Sequence, residues 1–585
     1  MNRDNMARRA FLAGSAVVLA ACHPAEGEYF GNTTPPAKQR LVFENISEPE
    51  TLDPAKTQSA SEERLLPSMF EGLTTLHPVT MEAVTGMATH YTASPDFTRF
   101  TFYLRGHPNP SGIRLPDASS LTLAPPPPDN IPARWSDGGV VTAHDFLYSW
   151  RRAVAPETAA GFGIAYFNCI ENAAGIIAGK IAPAKLGVTA RDDFAISIQL
   201  CRPAPYFPSL LWTFWFCPVR ARAIESAKKG GAEALWMNAR NIIVNGPFTL
   251  ARWRPNDYVV LRRNPRYYAR SSVRLEEICF LPSRDEPTML SLYKAGLSHA
   301  IPGKFLTPEA VAGLRGKRDL KREPAARISF YSLDSLQPPF DNILVRYALN
   351  MALDKKPIAA YLAGGQLPAA GVVPPMRMFP PLQSLPVTVD GQTYDVLSSD
   401  PAGARTLLAK AGYTGGVDKQ GKRISFKLTI NQRPRALKTA EILQAQWRQR
   451  LGIEVMIGSV TESIWAEAVS NKRYSGMIED AWTANYLDPN DFLEMFGSPG
   501  ATGATWTSAS FDGELERANA APDATERLHQ LAEAERTLMR VMPIVPLYFD
   551  SFSFLQKPFV RGLWNNPGDV PLFKYTSIDT HWRAS

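Results

Sequence analysis

The sequence predicts an α/β fold arranged in at least two lobes, and three observations support this. The stretch "ISFKLTI", then "TAEILQAQWRQRLG", then "IEVMIGSV" has the patterns of a strand, a helix and a second strand, which suits a right-handed parallel crossover. Strand and helix patterns alternate from Gln39 onwards. A chain of 585 residues with 45% hydrophobic side chains has enough core material for about two to four compact domains.

Local signals justify the individual elements. "RLVFENI" and the alternating "FTRFTFYLR" predict strands. "TAHDFLYSWRRAV" predicts a helix, with Thr142 as N-cap and Asp145 placed to complete a capping box. "DPAGARTLLAKAGY" predicts a helix that is capped by Asp400 and stopped by Gly412. In "DNILVRYALNMALD" an apolar helical face is formed by Val345, Ala348, Leu349 and Ala352.

Residues 106–134 form a proline-rich segment. Proline cannot donate to a sheet ladder or continue a helix. We therefore expect a surface insertion, with polyproline II character from Pro125 to Pro128. A docking ligand for a partner is the alternative, and a solvated loop is favoured over it.

The N-terminus indicates export. "MNRDNMARRAFLAGSAVVLAAC" has a basic start and an apolar run from Ala10 to Ala21, too short for a stable span of about 20 residues. "LAAC" resembles a bacterial lipobox, which predicts a signal peptide over 1–21 and lipidation of Cys22; an incidental cysteine near a conventional cleavage site is the alternative. "RRAFL" resembles a twin-arginine signal, and the choice between this route and Sec export stays open. Residues 22–37 are predicted to be a flexible tether.

Composition and motifs exclude several functions. The net charge of +7 and the pI of about 9.0 come without a long Lys/Arg block, so nucleic-acid binding is not predicted. The eight histidines are isolated, and no HExxH, GxSxG, Walker A or GxGxxG motif occurs. We therefore predict no familiar enzyme activity, no cofactor and no metal. The cysteines of an exported protein can be oxidised to disulfides. Cys169, Cys201, Cys217 and Cys279 could pair in three different ways.

A series of segments, in order along nearly the whole mature chain, resembles the extracellular solute-binding proteins of the oligopeptide/dipeptide ABC-import family, family 5. The most distinctive is "WSDGGVVTAHDFLYSWRR". The others include "EPETLDP", "FEGL", "PAPYFPSLL", "VNGPFTLARW", "PPFDNILVRYALNMALDK", "WRQRLGIEV", "AWTANYLDPNDFL" and "PIVPLYF". Each match alone is weak, and their shared order makes the resemblance specific.

The resemblance implies a periplasmic binding protein-like fold (type II, cluster C), in which two α/β lobes and an extra domain close on a ligand by a hinge. The implied first lobe comprises residues 38–70, 220–326 and 550–585. The extra domain comprises 71–219, with the insertion 106–134, and the second lobe comprises 327–549.

The resemblance also implies a binding site. In this family a W-x-x-D motif supplies an Asp for the ligand's α-ammonium, and the matching "WTAN" at 482–485 puts Asn485 in that position. Asn brings no charge, which weakens an ammonium contact by ~1–2 kcal/mol. Asp488, before Pro489, is expected to cap the next helix. Further implied contacts are main-chain groups of Ser59, Ala60, Trp482 and Thr483, the cleft rim at Ala484 and Tyr486, and the side chains of Phe162, Phe330, Tyr331 and Trp465, each with a core-packing alternative.

The expected function is a lipid-anchored, monomeric, periplasmic substrate-binding component of an ABC importer, which captures oligopeptides or peptide-like solutes and delivers them to a membrane permease. Main-chain pairing, buried termini and hydrated side-chain pockets would suit variable peptides. The alternative keeps the fold and binds a non-peptide solute, or a ligand without a free amino terminus. A sensor or chaperone role on the same fold stays open.

Overall fold

The computed structural model describes residues 28–121, 127–283, 285–303, 306–498 and 500–584. The predicted signal peptide, 1–21, and the lipidation site Cys22 lie outside these residues, as does Pro125. Among the described residues, no helix combines the length and apolar composition that a membrane crossing needs.

An 11-stranded mixed sheet runs through the molecule. Its path is Glu454–Val460, Ser425–Asn431, Met477–Thr483, Leu320–Leu333, Ile544–Gln556, Ala300–Ile301, Arg40–Glu44, Glu277–Leu281, Tyr258–Arg263 and Phe248–Arg254, with Leu367–Pro368 paired to Ile544–Gln556. The predicted strand–helix–strand unit is confirmed, because Ser425–Asn431 and Glu454–Val460 pair in parallel around the helix Pro434–Leu451. That helix begins before the predicted "TAEIL" start, since proline suits the first helical turn.

Two long antiparallel strands, Leu320–Leu333 and Ile544–Gln556, join the two ends of this sheet. The predicted passages between the lobes, at 326–327 and 549–550, fall inside these strands. Their pairing register shifts between Pro324 and Ile328, where proline cannot donate to the ladder. The division of the chain into lobes stays a prediction.

A separate five-stranded antiparallel sheet occupies the predicted extra domain. Its order is Ile113–Arg114, Ala88–Ala93, Arg99–Leu104, Ala195–Gln199 and Val188–Asp192. The insertion therefore contributes a two-residue edge strand, which the loop prediction missed; an edge strand needs a neighbour on one side only. The two-stranded sheets are Thr74–Leu76 with Ala83–Thr85, Pro386–Val389 with Gln392–Asp395, and Val560–Arg561 with Ser577–Ile578.

The helices carry the predicted caps. Thr142 and Asp145 form the capping box, and Asp400 accepts from the N–H groups of Ala402 and Gly403. The α-helices are Ala60–Leu65, Ala143–Val154, Ala173–Ile177, Phe207–Leu210, Ala221–Lys229, Glu286–Ala295, Pro308–Gly313, Ile343–Met351, Lys356–Leu362, Pro401–Lys410, Pro434–Leu451, Glu462–Ser470, Pro489–Leu493, Ala509–Ala520 and Ala524–Val541. The 3-10 helices are Pro54–Lys56, Leu66–Ser68, Ser119–Leu121, Pro156–Thr158, Phe162–Cys169, Pro183–Lys185, Phe214–Phe216, Glu233–Met237, Arg270–Ser272, Glu494–Phe496 and Phe573–Tyr575.

Two large hydrophobic cores hold these elements. The first core takes its residues from the predicted first lobe and extra domain, with one exception, Tyr486. All members of the second core lie between 326 and 549. The loop that contains Asn485 therefore extends from one core into the other.

The end of the predicted tether is packed against the first lobe, contrary to the expectation of flexibility up to residue 37. The Phe30 ring stacks on Tyr293 with centroids 6.2 Å apart. The Phe30 N–H donates to the Asp319 carboxylate at 3.0 Å. This partly buried aromatic contact and the hydrogen bond fix the backbone at Phe30.

Candidate functional site

The strand Met477–Thr483 has one fully paired edge and one partly open edge. On one side it pairs with Leu320–Leu333 along its whole length, from Met477 to Thr483. On the other side Ser425–Asn431 pairs only with Met477 and Ile478. Beyond Ile478 this second edge has no paired strand in the described part of the chain.

Hydrogen-bond alternation shows which groups face the open edge. Ala484 donates its N–H to Ala326 at 2.8 Å, on the paired side. In an antiparallel ladder the main-chain N–H and C=O groups of successive residues point to opposite sides of the strand. The main-chain groups of Trp482 are therefore directed to the neighbouring strand, and those at the open edge belong to Thr483 and to Ala481, whose N–H donates to the Asp480 carboxylate at 2.8 Å. Main-chain contacts of this segment with a ligand stay a prediction.

The Asp491 carboxylate braces the start of the loop 484–488. Its Oδ2 accepts the indole N–H of Trp482 at 3.0 Å and the main-chain N–H of Asn485 at 2.9 Å. Asp491 is fully buried, and burial, followed by the neighbouring Glu494 carboxylate, raises its pKa well above the usual range. Asp491 therefore fixes the backbone at Asn485, a role that sequence reasoning did not assign.

The Asn485 side chain is half-buried and hydrogen-bonds to no other described residue. Asp488 caps the following helix, as predicted, by accepting from Asn490 N–H at 2.9 Å. Asp488 also forms a two-point ion pair with Arg527, at 2.8 and 2.9 Å. Its carboxylate is thus already paired, which leaves Asn485 as the polar side chain offered by this loop.

Tyr486 joins the two sides of the molecule. Its buried ring stacks on Tyr206 of the predicted extra domain, with centroids 5.0 Å apart and an interplanar angle of 14°. Its hydroxyl donates to Glu494 at 2.7 Å, and Arg202 lies 3.6 Å from the same carboxylate. This corrects the expectation that Tyr486 forms the cleft rim: the ring is part of the contact between the predicted second lobe and the predicted extra domain.

Several other predicted contacts are occupied by packing or capping. Phe330 and Tyr331 are each 1% exposed in the second core, so core packing replaces the predicted pocket role. Ser59 caps the helix Ala60–Leu65, and its N–H donates to Glu62 at 3.0 Å. The Ser59 N–H is therefore engaged within the capping box, and a ligand contact of the main chain at Ser59 and Ala60 stays a prediction.

Trp465 is half-buried, and its indole N–H donates to the Glu479 carbonyl at 2.7 Å, beside the open edge. Phe162 begins the 3-10 helix Phe162–Cys169, and its side chain lies outside the described atoms. The predicted pocket roles of both residues stay predictions.

Two arginines next to the open edge were missed by sequence reasoning. Arg327 donates to the Thr483 hydroxyl at 2.7 Å and to Asp550 at 3.1 Å. Arg435 donates to Asp550 at 2.9 and 3.0 Å and to Tyr548 at 2.9 Å. Burial would raise the pKa of Asp550, but the two guanidinium groups hold it below the usual range. Only the strand register reveals this cluster, because its members are far apart in the sequence.

The described residues contain no cluster of three or more His, Cys, Asp or Glu side chains that could hold a metal ion. The arrangement instead offers an open strand edge, a polar loop and an interlobe contact. These features define a two-lobed ligand-binding protein.

Comparison with known proteins specifies the family. The model for the middle region of the bacterial extracellular solute-binding proteins, family 5, matches residues 132–504. The periplasmic oligopeptide-binding protein OppA of Salmonella typhimurium is 30% identical over 90% of this chain and 90% of its own length. The chain belongs to this family, and it is a solute-binding transporter component, not an enzyme.

Other relatives differ in their named ligands. The probable deoxycholate-binding periplasmic protein YgiS of Escherichia coli is 29% identical, with 97% of this chain and 98% of YgiS covered. The crystal structure of Haemophilus influenzae OppA in complex with RPPGFSPFR matches with a TM-score of 0.72 and 26% identity, over 93% of this chain and 100% of that chain. These matches confirm the predicted periplasmic binding protein-like fold.

Proposed function

We propose that this protein captures a peptide or peptide-like solute between its lobes and delivers it to an ABC permease in the membrane. The open strand edge at Ala481 and Thr483 carries the proposal, because an extended peptide can add there as a further strand. Main-chain pairing of this kind accepts different ligand sequences. The OppA structure with a bound peptide supports the assignment by family relationship.

The two ends of the ligand meet different chemistry in this proposal. Asn485 lies at the amino end and accepts through its amide oxygen. Arg435 is the candidate for the carboxyl end: its side chain is 38% exposed, and only its Nη2 donates to described residues. A guanidinium recognises a carboxylate through paired N–H donors.

A second candidate ligand is a solute without a free amino group. Asn485 favours it, because the position lacks the charge that balances an ammonium. The relationship to YgiS supports this candidate, because that relative is named as a probable deoxycholate-binding protein and deoxycholate is not a peptide.

The proposed location is the periplasm, where the protein is held as a monomer near its permease by a lipid on Cys22. The lipobox-like "LAAC" and the signal-peptide pattern support this, as do the periplasmic relatives. Globomycin, which blocks lipoprotein signal processing, provides the test: accumulation of an unprocessed, lipid-modified form is expected. Normal processing in its presence would contradict the anchor.

Native mass spectrometry of protein purified from its own host tests the ligand. The expected result is a bound molecule that fragments as a peptide. A bound molecule that is not a peptide would favour the second candidate, a solute without a free amino group. Thr483→Pro serves as the control, because a ligand held at the open edge is expected to bind more weakly and to be recovered in a smaller fraction of that variant. Recovery of the same ligand in an unchanged fraction from Thr483→Pro would contradict the edge as its site.

A further inference from the structure

Two free cysteines lie opposite each other in the predicted extra domain. Ile170 and Leu200 form an antiparallel bridge, and Cys201 donates its N–H to the Cys169 carbonyl at 2.8 Å. This register places Cys169 opposite Cys201, with both side chains on one face. Cα atoms of such a hydrogen-bonded pair are about 5.5 Å apart, within the range of about 4.4–6.8 Å that a disulfide spans.

The two thiols also point to the same short segment. Cys169 Sγ donates to the Tyr166 carbonyl at 3.1 Å, and Cys201 Sγ donates to the Asn168 carbonyl at 3.2 Å. Cys169 is buried and Cys201 is exposed. Burial raises the pKa of Cys169 to about 12, opposed by Arg202 and increased by the Cys201 thiol. An external reagent therefore meets Cys201 first, with Cys169 beside it.

We propose that Cys169 and Cys201 form a disulfide bond when the protein is exported to an oxidising compartment. This step rests on the export that forms part of the proposed function. The Cys201 thiolate attacks an external disulfide, such as that of a thiol:disulfide oxidase or oxidised glutathione, and releases one thiol. Cys169 then loses its proton, attacks the Cys201 sulfur and releases the second thiol. Two electrons pass from the protein thiols to the external disulfide.

The other described cysteines lie apart from this pair. Cys217 is buried, and its Sγ contacts the Thr213 carbonyl at 4.0 Å. Cys279 lies in the large sheet opposite Val42 and Val260. Of the pairings that the sequence leaves open, the structure thus supports a single bond, with Cys217 and Cys279 remaining as thiols.

The bond would tie a segment that contacts the predicted second lobe to a 3-10 helix of the predicted extra domain. Cys201 precedes Arg202, which lies 3.6 Å from Glu494, and Cys169 ends the 3-10 helix Phe162–Cys169. A cross-link between distant parts of the chain stabilises a fold mainly by restricting the unfolded state. Reduction is therefore expected to lower the midpoint of thermal unfolding by about a few degrees.

Peptide mapping of the full chain tests the proposal. After incubation with oxidised glutathione, alkylation should spare Cys169 and Cys201 and label Cys217 and Cys279 once the chain is unfolded. Cys201→Ser should abolish the bond and the reduction-dependent shift in the unfolding midpoint. Cys279→Ser is the matched control and should retain both.

Two outcomes overturn the proposal in different ways. Alkylation of Cys169 after oxidation, or a glutathione adduct that persists on Cys201, would show that the pair does not close. A bond that forms with glutathione but is missing from protein isolated from the cell envelope would contradict oxidation in the cell. Neither measurement uses the transported solute, so their results do not depend on whether the proposed ligand is correct.

Discussion

The end of the strand Met477–Thr483 and the loop 484–488 are neighbours in sequence but differ in what they offer a ligand. The strand offers the carbonyl of Ala481 and the main-chain groups of Thr483, which an extended peptide can pair with; the Ala481 N–H is already donated to Asp480. The loop offers one side chain, Asn485, and places Tyr486 in the opposite core. In the proposed binding mode, the strand edge binds any extended ligand, Asn485 selects among ligands, and Tyr486 contributes to the contact between domains.

This difference separates two properties of binding. In the proposed binding mode, pairing at the strand edge contributes affinity for all extended ligands, whereas Asn485 distinguishes ligands by the group at one end. Because Tyr486 follows Asn485 directly, the contact between the lobes also fixes the selective residue.

The largest effect is expected from Tyr206→Ala. Loss of a buried aromatic ring costs about 3–5 kcal/mol of unfolding free energy. It also removes the stack on Tyr486, so bound solute should dissociate faster, because contacts made after docking act mainly on the dissociation rate. Stopped-flow release and thermal unfolding measure the two effects.

Tyr293→Ala is the matched control, because this buried ring packs on Phe30 within the first lobe. It should lower stability without changing the rate of solute release. If Tyr206→Ala released solute at the wild-type rate, the proposed role of the interlobe stack in retention would be wrong.

A pH effect on stability is expected from Asp480 in the strand. Its carboxylate accepts from Ala481 N–H at 2.8 Å and Ser332 Oγ–H at 2.9 Å, yet burial raises its pKa from 3.8 to about 6. Because the pKa is higher in the folded state, the stabilising contribution is complete below pH 3.8 and is lost as the pH rises through about 6. Between these two limits the contribution of Asp480 to the free energy of unfolding changes by roughly 3 kcal/mol.

Urea unfolding between these pH values measures this contribution. Wild-type stability should fall more steeply with rising pH than the stability of Asp480→Asn. Equal slopes would mean that this carboxylate has the same proton affinity in the folded and unfolded chains.

A smaller effect on binding is expected from Thr483→Pro. The substitution removes the N–H on the open edge and leaves the ladder to Leu320–Leu333, which does not use that group. Loss of one ligand hydrogen bond should weaken binding by about 1–3 kcal/mol. Isothermal titration with the solute identified by mass spectrometry provides the value.

Thr483→Ala is the control, because it also loses the contact with Arg327 but keeps the N–H. The difference between the two variants isolates the main-chain group. Equal affinities would show that the ligand does not pair with this edge.

The sequence predicts elements whose signals are local. Thr142 with Asp145, Asp400, Asp488 and the strand–helix–strand unit all follow from residues a few positions apart. Tyr486 was mistaken for a ligand contact because its stacking partner, Tyr206, lies 280 positions away in the sequence. Arg327 was missed because only the sheet register brings it to Thr483.

Burial and capping account for the remaining errors. Phe330 and Tyr331 belong to a strand covered on both faces, so their aromatic character reflects the core. Ser59 was assigned a main-chain ligand contact by the family resemblance, and in the structure its N–H donates to Glu62. Chemically suitable residues become binding residues only where the fold leaves their polar groups unpaired.

Titration of one peptide in two forms, with a free and with an acetylated amino terminus, tests the central claim most directly. For Asn485→Asp the free-amine form should bind more tightly than it binds wild type, by about 1–2 kcal/mol, while affinity for the acetylated form should not increase. Wild type should show a smaller preference for the free amine. If the substitution left the ratio of the two affinities unchanged, Asn485 would not lie at the ligand's amino end.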